Sequence, residues 1–285
     1  MGKKRDYFET LGNLEIMDGG GDDTPSSKYP LFETHCHLDY LKENELDRVI
    51  QLSKEIGIKK IVTISVSPSN FKDVHKLCHA DDMIYGTQGV HPHEAKDWNQ
   101  SVCQEIKKDM ASKDKIVAVG EIGLDYYYNH SDPKDQRTAF EEQLQLASEL
   151  DLPVVIHSRD AEDDTMAILK NFSSSLKKKG VIHSFTSKLA LAEFALSEGL
   201  FLGFNGIITF KNAHDVRKAL EICPTDHILI ETDSPFLTPT PHRGKENTPF
   251  YLPFIAQYIS DFKKEKPEVL LPKVYQNSLK FFQIN

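Results

Sequence analysis

The chain has 285 residues, 39% of them hydrophobic and 27% charged, and carries a formal net charge of −9. It is long enough to bury one large core, and its acidic balance excludes a general polyanion-binding coat, so any contact with nucleic acid needs local positive charge or bound metal. Four scattered cysteines (Cys36, Cys78, Cys103, Cys223) suggest no disulfide framework and fit a reducing cytosol, and no apolar run of about 18 residues suggests a membrane span.

The first stretch, through the glycines 19–21 and the acidic pair Asp22 and Asp23, lacks the apolar segment of a signal peptide. Gly2 stands where a myristoylation signal begins, but Asp6 occupies the position that wants Ser or Thr. Residues 1–28 therefore read as a flexible leader and 29–285 as one folded domain, cytoplasmic and monomeric, with no obligatory protein partner.

Eight short β-rich runs follow in order: LFETHCH, KKIVTISV, IYGTQGVH, IVAVGEIGL, PVVIHSR, GVIHSF, LFLGFNGII and HILIETDSP. Amphipathic stretches such as DQRTAFEEQLQLASELDL separate them, with apolar residues near helical spacing. Buried strands alternating with helices imply βαβ units and a parallel sheet, and eight units over about 250 residues predict an α/β fold closed into a single (β/α)8 TIM barrel. An open doubly wound sheet is the alternative, but no Gly-rich phosphate loop follows the first strand. The last 32 residues read as helices that close the barrel.

The polar residues fall at one end of these runs. His35 and His37, His91, Glu121, His157, His183, Asn205 and Asp233 each sit toward the C-terminal end of a different predicted strand, and in a barrel those ends converge on one mouth. Alternation supports the assignment: Glu33, His35 and His37 share a face, as do Val117, Val119 and Glu121; Val155, His157 and Arg159; and Leu229, Glu231 and Asp233. Four imidazoles and two carboxylates suit Zn²⁺, Mn²⁺, Co²⁺ or Fe²⁺ and, with more water, Mg²⁺. They are too many for one tetrahedral site and suit two ions roughly 3.5–4 Å apart. His35, His37, Glu121 and Asp233 would hold one ion and Glu121, His157 and His183 the other, with Glu121 as the bridge. A lone histidine at a strand end is usually structural, but that explanation would have to hold separately at each position.

The runs ETHCHLDY, GVHPHEA, AVGEIGLDYYY, PVVIHSRDA, GVIHSF, NGIITFKNA, IETDSPFLTP and HRGKENTPFYLPFIA together resemble the TatD family of metal-dependent deoxyribonucleases, from about Leu31 to the C-terminus. The resemblance implies an amidohydrolase-like barrel, a divalent-metal centre and hydrolysis of DNA phosphodiesters, often from the 3′ end. It implies metal ligands at His35, His37, Glu121, His157, His183 and Asp233, and a substrate-phosphate contact at His91. The chain departs from the family at Glu33, where Asp is usual, at Ser184 in HSF, and at Glu246, where a basic residue is usual. Ser184 is expected to turn away from the face of His183, with little effect.

The expected chemistry is a 3′–5′ exonuclease on single-stranded or frayed DNA that uses two divalent ions (Mg²⁺, Mn²⁺ or Zn²⁺), with Asp233 accepting the proton of the nucleophilic water and Glu121 bridging. His91, His93, Arg159 and Arg243 are the substrate-binding candidates, with Lys245 as either a phosphate contact or a solvated charge. Arg159 could instead be a buried partner of Glu231 or Glu33. Tyr126, Tyr127 and Tyr128 could stack on bases or simply pack. His75, His79, His130, His214 and His227 read as structural or surface groups. The competing reading is a small-molecule ester, amide or phosphotriester hydrolase on the same centre. A carbamylated lysine would mark many such enzymes, and here the fourth strand offers Glu121 instead. A non-catalytic binding protein is the third reading, and an intact ligand set argues against it.

Overall fold

The computed structural model describes residues 27–41, 45–112 and 115–285, so nearly all of the predicted leader lies outside the described residues. Eight strands form one parallel sheet in sequence order: β1 (Leu31–Cys36), β2 (Ile58–Thr63), β3 (Ile84–Gln88), β4 (Ile116–Asp125), β5 (Val154–Arg159), β6 (Gly180–Ile182), β7 (Phe201–Phe204) and β8 (Ile228–Ile230). The ring closes just past β8, where the Asp233 amide donates to His35 O at 2.9 Å and the His37 amide donates to Ser234 O at 2.8 Å. Strand order follows chain order all the way round, which rules out the doubly wound sheet.

Helices fill each crossover: α1 (Leu46–Glu55), α2 (Phe71–Cys78), α3 (Gln100–Ala111), α4 (Pro133–Leu150), α5 (Glu162–Phe172), α6 (Leu189–Ser197) and α7 (His214–Ile222), with α8 (Leu252–Lys263) and α9 (Pro267–Phe282) after the last strand. The α4 sequence shows why such a segment forms. Asp132 caps it by accepting from the Lys134 amide, Pro133 occupies the first turn, and Phe140, Leu144 and Ala147 recur at helical spacing on the buried face. Among the described residues no helix is long and apolar enough to cross a membrane.

Two apolar layers result. Val154, Ile156, Ile182, Leu202, Phe204, Ile228 and Ile230 face outward onto the helices, while Val62, Ala118, Val155, Val181, Phe201 and Leu229 fill the barrel interior. Phe281, Phe282 and Ile284, at the end of α9 and just beyond, pack on this inner layer, leaving the opposite end for polar side chains.

Strict alternation fails within two of the strands. Val119, expected inside with Glu121, packs with the helices, and Ala118 lies inside; the β4–β5 register breaks between Val119 and Ile122, and that break turns Glu121 inward. Phe32, expected opposite Glu33, joins the inner cluster because the β1–β2 register shifts after Leu31. The later strands are also shorter than their apolar runs. β6 and β8 have three residues each, and β7 gives way to a 3-10 turn, Gly206–Thr209, capped by the Asn205 side chain.

Candidate metal centre

The C-terminal strand ends enclose a cleft of about 750 Å³. His37, His91, Glu121, His157, His183 and Asp233 line it, and His35 lies just beneath them, fully buried. Their backbones are held by bonds that the strand ladder does not supply. The His91 amide donates to Val66 O at 2.8 Å, and both polar backbone groups of the preceding Val90 bind the side chain of Gln143 on α4, at 2.7 and 3.1 Å. Glu33 Oε1 accepts from the amides of His35 and Thr232, tying the start of the mouth to its end.

Glu121 is the hub. Its Oε2 lies 3.6 Å from His35 Nε2, which is also 3.6 Å from Asp233 Oδ1, and Asp233 Oδ1 is 3.6 Å from His37 Nε2. Its Oε1 faces the other way, 2.7 Å from His183 Nε2, 3.0 Å from His157 Nδ1 and 3.4 Å from His91 Nε2. The 3.6 Å separations exceed hydrogen-bond length but match donors that share one cation: two ligands at roughly 2.1 Å and a tetrahedral angle lie about 3.4 Å apart.

Satisfaction of buried polar atoms gives an independent test of fit. Both ring nitrogens of His35 and Nδ1 of His37 and of His183 are buried without a hydrogen-bond partner, and the His35 and His183 rings stack at 3.9 Å. Buried polar nitrogens are rarely left so, and neutral imidazole beside carboxylate is the donor chemistry of a divalent cation. The residues fit the metal.

Protonation follows from the surroundings. Burial opposes ionisation of Glu121, yet His183, His91 and His157 overrule it and hold the carboxyl well below the usual range. Burial alone would lower His37, but Asp233 and Glu121 raise it to about 9. Burial, with the neighbouring imidazole His183, keeps His35 well below its ordinary value. His91 is pushed down to about 4, chiefly by burial, so it is neutral. Its Nδ1 accepts from the His93 amide at 3.1 Å, so its single proton sits on Nε2. His91, Glu121 and His157 also converge closely, with His91 Nδ1 engaged by the His93 amide and its Nε2 turned toward Glu121.

Asp125 escaped the sequence reading. Its Oδ2 lies 2.9 Å from His93 Nε2 and 3.1 Å from His157 Nε2, while Oδ1 accepts from the amides of Tyr127 and Tyr128. Burial opposes its ionisation, but the two imidazoles and the Tyr128 amide depress its pKa. A signal was present: Asp125 is four residues beyond Glu121 in a strand and shares its face. His157 is thus gripped between two carboxylates and raised to about 9, burial being outweighed by Asp125 and then Glu121.

Glu231 lies beneath the mouth. Burial, with Asp233 and Glu33 nearby, raises its pKa well above the usual range; Oε1 accepts from the Ser184 amide. Gly203 lies against this carboxyl, where a Cβ would stand 2.6 Å from Oε2. Ser184 lines the cleft, and its hydroxyl accepts from Asn205 Nδ2 at 2.7 Å, so this residue does not turn away from the mouth as expected. Its φ of 45° rotates it out of strand alternation.

The remaining candidates separate. His93 and Arg159 line the cleft, and the Arg159 guanidinium lies over Tyr127 and Tyr128, 4.1 and 4.7 Å from the ring centroids, rather than beside Glu231 or Glu33. Arg243 stacks on Phe210 at 3.7 Å and is not among the residues lining the cleft, nor are Lys245 and Glu246. The Tyr126 hydroxyl donates to Asp164 at 2.6 Å.

Known proteins resemble this chain over most of its length. The sequence model of the family described as TatD related DNase matches residues 32–283. An uncharacterized metal-dependent hydrolase, YabD of Bacillus subtilis, is 36% identical over 257 residues, 90% of this chain and all of that protein. A protein of Erwinia tasmaniensis named 3′-5′ ssDNA/RNA exonuclease TatD is 33% identical over 244 residues, 84% of this chain and 93% of that one. Among solved structures, YjjV, a TatD homolog from Escherichia coli, superposes with a TM-score of 0.84 at 27% identity, covering 90% of this chain and 98% of that one.

Proposed function

The chain belongs to the TatD family of metal-dependent hydrolases, and from that premise we propose that it cleaves phosphodiester bonds of DNA, releasing nucleotides from the 3′ end of single-stranded or frayed substrate. One observation carries the reading: the two oxygens of Glu121 face two separate groups of donors, His35 with His37 and Asp233 on one side, His157 with His183 on the other. In this reading those groups hold two divalent cations, Mg²⁺, Mn²⁺ or Zn²⁺, with Glu121 between them. When bound, the cations supply Lewis acidity toward the attacking water and the phosphate oxygens.

The protein's own groups do the rest. Asp233, beside His35 and His37, accepts a proton from the attacking water. His91 Nε2–H donates to a phosphate oxygen, a task that suits a ring held neutral with that nitrogen protonated. Arg159, steadied by the faces of Tyr127 and Tyr128, offers a planar pair of donors at the rim, where phosphate can be bound through two oxygens. Asp125 fixes the His157 ring. The name of the Erwinia relative points to the same substrate class.

The test is nucleotide release from single-stranded DNA labelled at the 3′ or 5′ end, first metal-free and then with Mg²⁺, Mn²⁺ or Zn²⁺, alongside Glu121→Ala and Asp233→Ala. Cleavage restored by metal and abolished by both substitutions is the expected result. No cleavage with any cation, together with hydrolysis of a small ester or lactone, would overturn the nuclease reading and leave the metal centre standing.

A further inference from the structure

Large apolar side chains in water are few among the described residues, and four of the six lie at the mouth: Tyr40, Tyr127, Tyr128 and Phe236. They are not equivalent. Arg159 already lies against Tyr127 and Tyr128, and Tyr128 also stacks on His130. Tyr40 and Phe236 have only edge-to-face ring contacts, with each other at 5.8 Å and 74°, and with His37 at 5.7 and 6.4 Å. Edge-to-face packing leaves flat ring surface uncovered, and these rings are 49% and 50% exposed.

The Phe236 backbone is bonded on both sides. Its amide donates to Asp233 O at 3.0 Å, and its carbonyl accepts from Nδ2 of the buried Asn247, which binds Thr232 O as well at 2.8 Å. An exposed aromatic ring carried on a bonded turn, three residues from the proposed proton acceptor, is an exposed apolar surface with a defined backbone position.

We propose that Phe236, with Tyr40 beside it, is a stacking face for an unpaired nucleobase of the strand whose phosphodiester enters the cleft; the inference rests on the nuclease reading above. The occupant follows from chemistry. The ring face abuts a site for an anionic diester, the chain as a whole is acidic and offers no general attraction to polyanions, and every base has a flat π-surface. Bases in a duplex are already stacked on one another, so this surface favours single strands and frayed ends and reads no sequence.

The experiment uses the full chain with Mn²⁺ and two single-stranded DNA oligomers, one intact and one with bases replaced by abasic residues at successive positions from each end. The KM and kcat for both are measured on the native protein, Phe236→Ala, Phe236→Trp and Tyr40→Ala. The native protein should prefer the intact strand by roughly tenfold in KM. Phe236→Ala should shrink that preference to about twofold or less, Phe236→Trp should retain it, and Tyr40→Ala should reduce it. Equal cleavage of both strands by the native protein, or a preference that survives Phe236→Ala, overturns the stacking face and leaves the nuclease reading intact. Cleavage of neither strand removes both.

Discussion

Asp125→Asn is the sharpest test of how the centre is organised, because it changes almost no volume and alters only the two hydrogen bonds at Oδ2, with His93 and His157. The carboxylate Oδ1 accepts from the Tyr127 and Tyr128 amides, and an asparagine Oδ1 keeps both bonds. Gln136 holds the Asp125 backbone at 2.8 and 3.0 Å whichever side chain is present. What changes is Oδ2, which becomes an NH₂ group facing His157 Nε2 at 3.1 Å and His93 Nε2 at 2.9 Å. A carboxylate there accepts from Nε2–H, so that with a cation bound the Nδ1 lone pair faces the cation site; an amide donates to Nε2 and forces the proton onto Nδ1. The variant therefore folds normally while its ring presents the wrong tautomer. Loss of such an orienting carboxylate lowers metal affinity by about 10- to 100-fold, or about 1.4–2.8 kcal/mol. Competition against a chromophoric chelator measures the affinity, and ¹⁵N shifts of the Zn²⁺-loaded protein report the His157 tautomer. Native-like affinity and stoichiometry in Asp125→Asn would refute the reasoning.

Glu33 tests whether a neutral carboxyl lies under the mouth: burial, resisted by its bonds from Thr232 and His35, raises it to about 8. A group whose folded pKa is raised gives stability that is fully present below its unfolded pKa of about 4.5 and is lost as pH rises toward 8, here about 3 kcal/mol by pH 7. Glu33→Gln should therefore gain stability relative to the native protein between about pH 5 and pH 8, followed by urea unfolding in chelator, and a difference that stays flat with pH would show the acid is not neutral. Gly203→Ala places a Cβ 2.6 Å from Glu231 Oε2, in a side chain pinned by the Ser184 amide. Overpacking of this kind costs about 1–3 kcal/mol, so the urea midpoint should fall with unchanged m-value, and a native midpoint would refute the contact.

The barrel was legible because its signal is repeated: eight apolar runs, each followed by an amphipathic stretch, leave few alternatives once the strands are taken as parallel. The convergence of histidines and carboxylates at one end was legible for the same reason, since strand ends of this fold share a mouth. What alternation could not foresee is where it stops. Glu121 arrives inside through a register break and not through the Val117–Val119 parity that seemed to put it there. Ser184 lies past a three-residue strand with a positive φ, so counting by twos from His183 fails. Asp125 obeyed the count and was missed because a carboxylate next to three tyrosines reads as a turn. Arg243 reads as a phosphate contact in a basic loop, but its partner Phe210 is 33 residues away in sequence, a proximity that only the fold creates.

The departures past the last three strands have a common cause. A strand ladder satisfies backbone groups by pairing them with a neighbour, and side chains then alternate. At this mouth the ladder ends early on β6, β7 and β8, and polar side chains take over the backbone groups it releases. Glu33 accepts from the His35 and Thr232 amides, Glu231 from Ser184, Asn205 from Ile207, and Asp125 from Tyr127 and Tyr128, while Asn247 donates to the carbonyls of Thr232 and Phe236. Freed from alternation, His183, Asp233 and Phe236 can point where the cleft needs them, with no amide left unpaired at those bonds. The arrangement also explains why buried acids persist beneath a cluster of ionised ones. Held neutral, Glu33 and Glu231 brace the backbone without adding to the negative charge that Glu121 and Asp125 already place there.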